Sequence, residues 1–354
     1  MNPHDLVQFD PSLKPRDYHI KSHEQNSKIL FRDVNIIDST GKDPFRGDVY
    51  IEVIKPILTS VGERIRYVGS VPGISHIEQA PGLQTIHGNG RTLMSGLGDA
   101  HTHLSWNNGD LGALGDLGVE EHTLLTAQSA KCYLDSGYTM CFGAASAKDR
   151  LDCVIRDAIN DGSIPGPRCL ANGKEIAVPD GELVPSITDL AKGPEEMRKV
   201  VQAHIALGVD TIKLSMSGEQ ITETRDAQDC YFSDLETAAC VDEGHTQGIR
   251  VCAHARARDS VKMCIRHGVD IIYHASWIDD EGMDMLEKAK HKHVVAPGIN
   301  WLVATIYEAD AFGYSFERAE EVGYKKELDA AVKALKEMHN RGITVLPGGD
   351  YGFA

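Results

Sequence analysis

The 354-residue sequence lacks any apolar run that approaches the ~20 residues of a membrane-spanning helix. Its first 27 residues are polar and contain no apolar core of a secretion signal, so we expect no export signal there. Positive charge is also scarce, because 36 Lys and Arg stand against 52 Asp and Glu, which gives a formal net charge of −16. This balance argues against nucleic acid or an anionic membrane as the main partner.

The sequence has no C-x-x-C pair among its eight cysteines, and most of them lie in apolar stretches. A free cysteine in such a stretch packs as a small hydrophobic residue. We therefore expect a reduced, cytoplasmic protein.

The pattern of apolar runs divides the chain into three parts. Residues 1–27 form a polar N-terminal extension. Residues 28–91 contain short runs rich in β-branched residues and separated by glycines, which predicts a β-strand domain. From residue 92 to residue 354, short apolar runs alternate with helical patterns of roughly 10 to 15 residues, as in repeated βα units.

Eight apolar runs predict strands in this last part, at 93–103, 138–143, 168–172, 211–215, 250–255, 270–275, 294–299 and 344–349. Helical stretches are predicted at 122–136, 153–161, 194–207, 234–247, 260–267, 281–290 and 325–340, several with a glycine near the end that suits a left-handed cap. This rhythm predicts an α/β fold, a (β/α)8 TIM barrel. A doubly wound open sheet is the alternative, but no Gly-rich phosphate turn follows an early strand.

A His-x-His tripeptide, His101 to His103, ends the first predicted strand. Alternate side chains of a strand share one face, so both imidazoles are expected to point the same way and form half of a divalent metal site. The pattern alone is weak, since 16 histidines make roughly one such tripeptide expected by chance. A second copy at 291–293 follows a Lys-rich helical stretch, and we predict that it is a solvated helix end.

Other predicted strands also end in residues with charged or metal-binding side chains, namely Lys213, His254, His274 and Asp350. Barrel active sites lie at the C-terminal ends of the strands, so these residues are expected near His101. Each has an ordinary alternative: a satisfied core histidine, a turn aspartate after Gly-Gly, or an edge lysine. Their coincidence at matching positions favours one shared site.

The run LMSGLGDAHTH at 93–103 resembles the strand-1 signature of the amidohydrolase superfamily, and the later Lys, His, His and Asp fall on the strands where that superfamily keeps its ligands. The chain is most similar to the branch of Xaa-Pro dipeptidases, the fungal ochratoxin-hydrolysing amidase and imidazolonepropionase-like proteins. The segment AINDGSIPGPR at 158–168 carries that similarity best. The resemblance covers 28 to 350 and implies a barrel with a small N-terminal β-sandwich portion.

The resemblance also implies a binuclear metal centre. His101, His103, Lys213 and Asp350 would hold one divalent cation, and Lys213, His254 and His274 the other. In binuclear members the strand-4 lysine is carboxylated by CO₂, so a carbamate on Lys213 would bridge both cations. Zinc suits this ligand set, with manganese or cobalt as alternatives. A metal-activated hydroxide would attack the substrate, with Asp350 as the proton carrier to the leaving nitrogen.

Three departures from the branch bear on substrate binding. The stretch 174–182 lacks the histidine that relatives often carry there. Tyr273 precedes the strand-6 histidine where many relatives have Glu, and Arg256 lies two residues past His254 where relatives often have His. Arg256 is expected either to reach a substrate carboxylate or carbonyl, or to be a surface arginine that starts the next helix.

Aromatic residues are concentrated in the predicted loops beyond the strands: Trp106, Tyr231, Phe232, Trp277, Trp301, Tyr307, Phe312 and Tyr314. In a chain with 6% aromatic residues this favours an apolar or aromatic substrate pocket, although oligomer contacts would account for it as well. Arg256, Tyr273 and Trp301 are the candidate substrate contacts.

We therefore predict a metal-dependent amidohydrolase that cleaves a C–N (amide-type) bond of a small-molecule substrate with an apolar or aromatic group. A cyclic-amide or arylurea hydrolase with the same site is one alternative, and a non-catalytic binding or assembly protein is another. Relatives continue beyond the eighth strand with a last helix and further strands. The barrel is therefore expected to lack them, which would expose apolar surface on its first and eighth strands. Either the chain is a fragment, or it forms a homo-oligomer in which another subunit covers that surface.

Overall fold

The structure is a computed structural model that describes residues 28–54, 62–106, 111–219 and 225–352. The chain forms two units: one holds most of the described residues up to Leu97, and the other holds most of those from Gly98 onward. The predicted N-terminal extension, 1–27, lies outside the described residues. The division at 91/92 stays a prediction.

Alternating apolar residues build the sheet of the first unit. Its elements are β1 (Lys28–Ile37), β2 (Phe45–Ile54), β3 (Gly62–Gly69), the short helix α1 (Ile74–Ile77), β4 (Leu83–His87) and β5 (Thr92–Met94). β1 pairs antiparallel with β2 and parallel with β4 and β5, in the order β3-β2-β1-β4. Leu30 is buried on one face and Val34 on the other, because a bulge between Phe31 and Val34 interrupts the alternation of β1. The described residues of this unit form one sheet, so the β-sandwich portion stays a prediction.

Strands and helices alternate through the second unit. Its strands are β6 (Leu97–Thr102), β7 (Tyr138–Gly143), β8 (Arg168–Leu170), β9 (Asn172–Ala177), β10 (Thr188–Leu190), β11 (Thr211–Ser215), β12 (Ser217–Glu219), β13 (Arg225–Cys230), β14 (Arg250–Ala255), β15 (Ile271–His274) and β16 (Val294–Ala296). Its helices are α2 (Val119–Asp135), α3 (Leu151–Asn160), α4 (Gly193–Leu207), α5 (Asp234–Thr246), α6 (Arg258–His267), α7 (Asp280–Lys288), α8 (Ile299–Tyr307), α9 (Phe316–Val322) and α10 (Tyr324–Asn340). Short 3-10 helices span Leu111–Asp116, Pro185–Ile187 and Asp310–Phe312.

Parallel pairing dominates this unit. One sheet has the order β10-β9-β11-β14-β15-β16, a second has the order β6-β7-β8, and β12 and β13 form an antiparallel hairpin. Every residue of β11 and β16 is buried, as expected for strands covered on both faces. The glycines predicted to cap helices have positive φ angles, which confirms the left-handed caps: Gly137, Gly162, Gly208, Gly248, Gly268 and Gly342.

The boundaries of four predicted strands are corrected. The run 93–103 is split between β5, which pairs with β1, and β6. The run 168–172 extends to Ala177 as β8 and β9, and the run 294–299 ends at Ala296 because α8 begins after Pro297 and Gly298. The eighth run, 344–349, contributes only an isolated parallel bridge between Val345 and Val295.

The described sheets therefore do not form a continuous closed ladder. Pro347 has no N–H to donate, which limits pairing along the eighth run. Its carbonyl still accepts a 2.8 Å hydrogen bond from the N–H of Ala100 in β6. This contact joins the eighth run to the first.

Two sequence predictions about exposure are also corrected. His293 is fully buried and its Nδ1 lies 2.7 Å from the Val269 carbonyl oxygen, so of the two histidines in that tripeptide His291 alone is solvated. Trp301 and Tyr307 lie on α8, not in a loop, because the sequence after Gly298 continues as an apolar helix.

No helix in the described ranges combines the length and the apolar character that crossing a bilayer requires.

Candidate metal centre

His101 and His103 present their imidazoles to one point at the end of β6, as their spacing predicts. The Nε2 atom of each ring lies 3.2 Å from Oδ1 of Asp350. All three residues are buried, with exposures of 1%, 4% and 3%. His103 stacks on the indole of Trp106 with ring centroids 3.7 Å apart, and this contact fixes the plane of the imidazole.

Asp99 holds Asp350 against β6 through the backbone. Its Oδ1 accepts hydrogen bonds from the N–H of His101 at 2.9 Å and of Gly349 at 3.0 Å, and the N–H of Asp350 donates to the His101 carbonyl at 3.0 Å. A Cβ on Gly348 would lie 2.7 Å from Cβ of His101, so only glycine allows this approach. Asp99 is therefore a positioning residue that the sequence reasoning missed, although it lies two positions before His101.

A second group of buried ligand atoms lies at the ends of neighbouring strands. His254 in β14, His274 in β15 and Glu219 in β12 each offer one ligand atom, and these atoms lie within 4.8 Å of one another. Nδ1 of His254 is 3.0 Å from Nε2 of His274 and 3.8 Å from Oε2 of Glu219. The ring centroids of His101 and His274 are 4.9 Å apart, so the two groups are adjacent.

In three of the four histidines, the ring nitrogen that does not face another ligand atom faces a backbone carbonyl. Nδ1 of His103 faces Ala145 O at 3.3 Å, Nε2 of His254 faces Gly218 O at 3.1 Å, and Nδ1 of His274 faces Pro297 O at 3.2 Å. Burial lowers the pKa of all four imidazoles below the ordinary value, so the rings are neutral.

A neutral ring that donates to a carbonyl keeps its remaining lone pair free for another partner. In His254 and His274 those lone pairs face each other, and in His103 the lone pair faces a carboxylate. Facing lone pairs repel unless a cation lies between them. Both groups therefore fit a divalent cation, with the carbonyls fixing the tautomers as in known metal sites.

Two residues of these groups adopt a left-handed backbone. The φ angle is +68° at His274 and +53° at Asp350. Such a conformation costs a non-glycine residue about 1–2 kcal/mol, and it persists where the surrounding structure holds it in place. The left-handed conformation changes the direction of the backbone at these two residues, just where β15 and the eighth run end.

Asp350 is ionised in this environment. Burial alone would raise the pKa of its carboxyl, but contacts with His101 and His103 and the charge of Arg256 lower that pKa below its ordinary value. A carboxylate here can both hold a cation and accept a proton.

Lys213 lies at the centre of β11 and is 2% exposed. Its Nζ is 4.8 Å from the centroid of the Tyr273 ring, and its register partner on β9 is Glu175. No described carboxylate makes a salt bridge with it. The alternative of an exposed edge lysine is therefore wrong.

A small cavity joins both groups to Lys213. Glu175, Glu219, Trp106, Leu183 and Val184 complete its lining. It has about 20 Å³ of room for the centres of water molecules, which suits a water between the two groups but not a substrate. Of the eight aromatic residues predicted near the pocket, Trp106 alone belongs to this described lining.

The sequence profile of the Amidohydrolase family matches residues 92–352. The chain belongs to the amidohydrolase family.

Individual relatives agree with this assignment. Ochratoxinase of Aspergillus niger is 25% identical over 288 residues, which cover 73% of this chain and 58% of that protein, so the chain spans little more than half of its length. The crystal structure of that ochratoxinase has a TM-score of 0.75 at 20% identity and covers 92% of this chain and 76% of its own. A Xaa-Pro dipeptidase with bound methionine also has a TM-score of 0.75, at 22% identity, covering 92% and 80%. These structural matches establish an α/β fold of the TIM-barrel type.

In this amidohydrolase the three predicted substrate contacts lie behind the cavity wall. Tyr273 is fully buried and stacks on His101 with centroids 3.9 Å apart. Arg256 is 1% exposed, so the alternative of a surface arginine is wrong. Its guanidinium lies 4.9 Å from the ring centroid of Trp301, which is itself buried.

The carboxylates near the second group were missed by the sequence reasoning. Glu219 contacts Arg256, and Glu327 on α10 contacts the same guanidinium. Burial raises the pKa of Glu219 to about 8, since the charge of Arg256 offsets only part of that cost. The only available signal for Glu219 was its position six residues after Lys213; nothing in the sequence linked Glu327 to the site.

Proposed function

We propose that this amidohydrolase is a binuclear metal-dependent hydrolase of a C–N (amide-type) bond. The two adjacent groups of buried ligand atoms, whose lone pairs face one another, are the observation that carries this proposal. Neutral imidazoles with carboxylates are a donor set that suits zinc.

His101, His103 and Asp350 would hold one cation, His254 and His274 the other, and a carbamate formed from Lys213 and CO₂ would bridge them. When bound, such a pair of cations lowers the pKa of a water and polarises a substrate carbonyl. An ammonium cannot ligate a cation, so Lys213 serves in this site only after carboxylation or as a neutral amine.

Asp350 is the proton carrier in this proposal. Its ionised carboxylate lies beside both histidines of its group, where it can accept a proton from the attacking water. Transfer of that proton to the leaving nitrogen converts the nitrogen into a neutral amine, which leaves more readily.

An apolar wall supports a substrate with an apolar or aromatic group. Trp106 belongs to a buried cluster with Val184 and Leu114, and it lines both the small cavity and a larger neighbouring cavity of about 400 Å³. Ochratoxinase and the Xaa-Pro dipeptidase are named for their substrates, ochratoxin and Xaa-Pro dipeptides. N-acyl amino acids, Xaa-Pro dipeptides and aryl amides are therefore the compounds to screen.

Purified protein should bind about two divalent cations per chain. His101→Ala and His254→Ala should each lower the bound metal and abolish hydrolysis, because each removes a ligand of one group. His291→Ala, at an exposed histidine, should change neither. Elemental analysis and a hydrolysis assay of the four proteins measure this. Equal metal content in all of them would contradict the assignment, and wild-type protein without metal or hydrolysis would favour a non-catalytic binding protein.

Gly298 offers a test of how tightly the first group is packed. Its φ is +59°, and an added Cβ would lie 2.9 Å from Cβ of Asp350 and 3.1 Å from Nδ1 of His101. Gly298→Ala should therefore lower both stability and metal affinity.

Gly313 is the matched control, because its φ is +88° and an added Cβ would have no neighbour within 4 Å. Both variants should lose about 1–2 kcal/mol of unfolding free energy from the left-handed backbone. Only Gly298→Ala should bind metal more weakly in a titration. Unchanged metal affinity in Gly298→Ala would argue against Asp350 and His101 as ligands.

A further inference from the structure

Three charged side chains form a buried cluster next to the second group. The guanidinium of Arg256 contacts Glu327 through Nη1, and its Nη2 lies 2.9 Å from Oε1 of Glu219. Their exposures are 1%, 0% and 3%. Trp301 covers the face of the guanidinium, so water has little access to these charges.

The hairpin of β12 and β13 fixes the position of Glu219. A Cβ on Gly218 would lie 2.0 Å from the Asp226 carbonyl oxygen, so the two strands approach as closely as a glycine allows. Oγ of Ser217 accepts a 2.8 Å hydrogen bond from the N–H of Arg256, and the Gly218 carbonyl faces Nε2 of His254. The end of β14 therefore holds the two residues that precede Glu219.

The charges in this cluster do not balance. One guanidinium serves two carboxylates, which leaves an excess of one negative charge when both are ionised. Glu327 lies on the far side of Arg256, on α10, whereas Glu219 faces Nδ1 of His254 at 3.8 Å. A cation beside His254 would therefore meet a carboxylate whose guanidinium partner is shared with Glu327, and the attraction between them would favour ligation.

The spacing suits a shared cation. Two bonds of ~2.1 Å place their ligand atoms at most ~4.2 Å apart. The distances from Nδ1 of His254 to Glu219 and to Nε2 of His274 are 3.8 and 3.0 Å, both below that limit.

We propose that Glu219 is a direct carboxylate ligand of the cation held by His254 and His274, and that Arg256, clamped by Glu327 and Trp301, positions that carboxylate. This inference rests on the proposed two-cation site and adds to it a residue on the hairpin after the fourth barrel strand. It gives the second cation a protein carboxylate of its own, as Asp350 does for the first.

Glu219→Gln tests the proposal because it keeps the size of the side chain and removes its charge. A metal titration with elemental analysis should show two tightly bound cations per wild-type chain, but one tightly and one weakly bound cation per Glu219→Gln chain, because a neutral amide oxygen replaces a charged carboxylate. Asp152→Asn is the matched control, since Asp152 is equally buried on α3 but belongs to neither ligand group. This control should keep both cations.

Thermal unfolding with and without metal separates ligation from a purely structural role. Metal-free Glu219→Gln should unfold no earlier than the metal-free wild type, because the amide keeps the size of the side chain and Arg256 keeps its ion pair with Glu327. Its gain in Tm on metal loading should be smaller than that of the wild type. A metal-free variant that unfolds earlier while showing the full metal-dependent gain would overturn the proposal.

Two further outcomes are decisive. If wild type and Glu219→Gln both bind two cations with equal affinity, the inference fails while the proposed function stands; if the wild type binds none, both fail. Should Glu219→Gln not fold, a crystal structure of the metal-loaded wild type gives the answer. A Glu219 oxygen within ~2.6 Å of the cation supports ligation, and one beyond 3.5 Å excludes it.

Discussion

A Lys213→Ala variant should lose about 10³-fold or more in turnover, and acetate or another short carboxylate should restore part of it. The substitution removes a buried lysine that lines the same cavity as both ligand groups. A small carboxylate can enter the vacated space and offer its oxygens to both cations. Metal content and hydrolysis, with and without added carboxylate, measure the effect.

Lys213→Arg separates carbamate formation from the presence of a positive charge. Arginine keeps the charge but cannot be carboxylated, so this variant should also be inactive. Native mass spectrometry of the wild type should find the added mass of one CO₂, and metal loading should depend on bicarbonate. A fully active Lys213→Arg enzyme would end the carbamate hypothesis.

Lys174 provides a control for the loss of a lysine from the neighbouring strand β9. Its Nζ pairs with Asp149 and Asp189, each at 2.9 Å, and it is not part of the described cavity lining. Lys174→Ala should keep its bound metal, and added carboxylate should not change its turnover.

Asp350→Asn should lower turnover by about 10²–10⁴-fold while much of the metal stays bound. The amide keeps the shape of the side chain and an oxygen for the cation, but it cannot accept and return a proton. Steady-state kinetics should therefore show the loss mainly in kcat, with bound metal measured on the same samples. Near-normal turnover would remove Asp350 from the proton-transfer role.

Asp270 is the matched control for Asp350. It is buried immediately before β15, where its Oδ2 accepts a hydrogen bond from the N–H of Val251 at 2.8 Å and lies 2.8 Å from Nε2 of His245. Asp270→Asn should cost about 1–3 kcal/mol of unfolding free energy, because it weakens buried hydrogen bonds. Its turnover per folded molecule should stay near that of the wild type.

The sequence predicted what depends on local periodicity. The two-residue spacing of His101 and His103 places both rings on one side, and the strand ends of His254 and His274 meet because the strands are parallel. These relations follow from the local geometry of the strands and do not depend on contacts with residues far away in the sequence.

Residues that act through long-range contacts could not be predicted in this way. Glu327 reaches Arg256 across 71 positions, and nothing in either local pattern indicates the pair. His293 resembled a solvated residue because Lys292 and His291 are polar, yet a single carbonyl holds it in the core. Glu219 lies on an irregular hairpin, where strand alternation gives no face to assign.

Asp99 and Gly349, which join the first strand to the last run, lie 250 positions apart. A ribosome adds about 5–20 residues per second, so the histidines of β6 emerge many seconds before their aspartate does. Until the last run docks, the first group has its two imidazoles but no carboxylate. With the first group holding a cation as proposed, its tight binding of metal would be a late step in the maturation of the protein. Metal binding at this group would therefore require that the first strand and the last run of the barrel are already in contact.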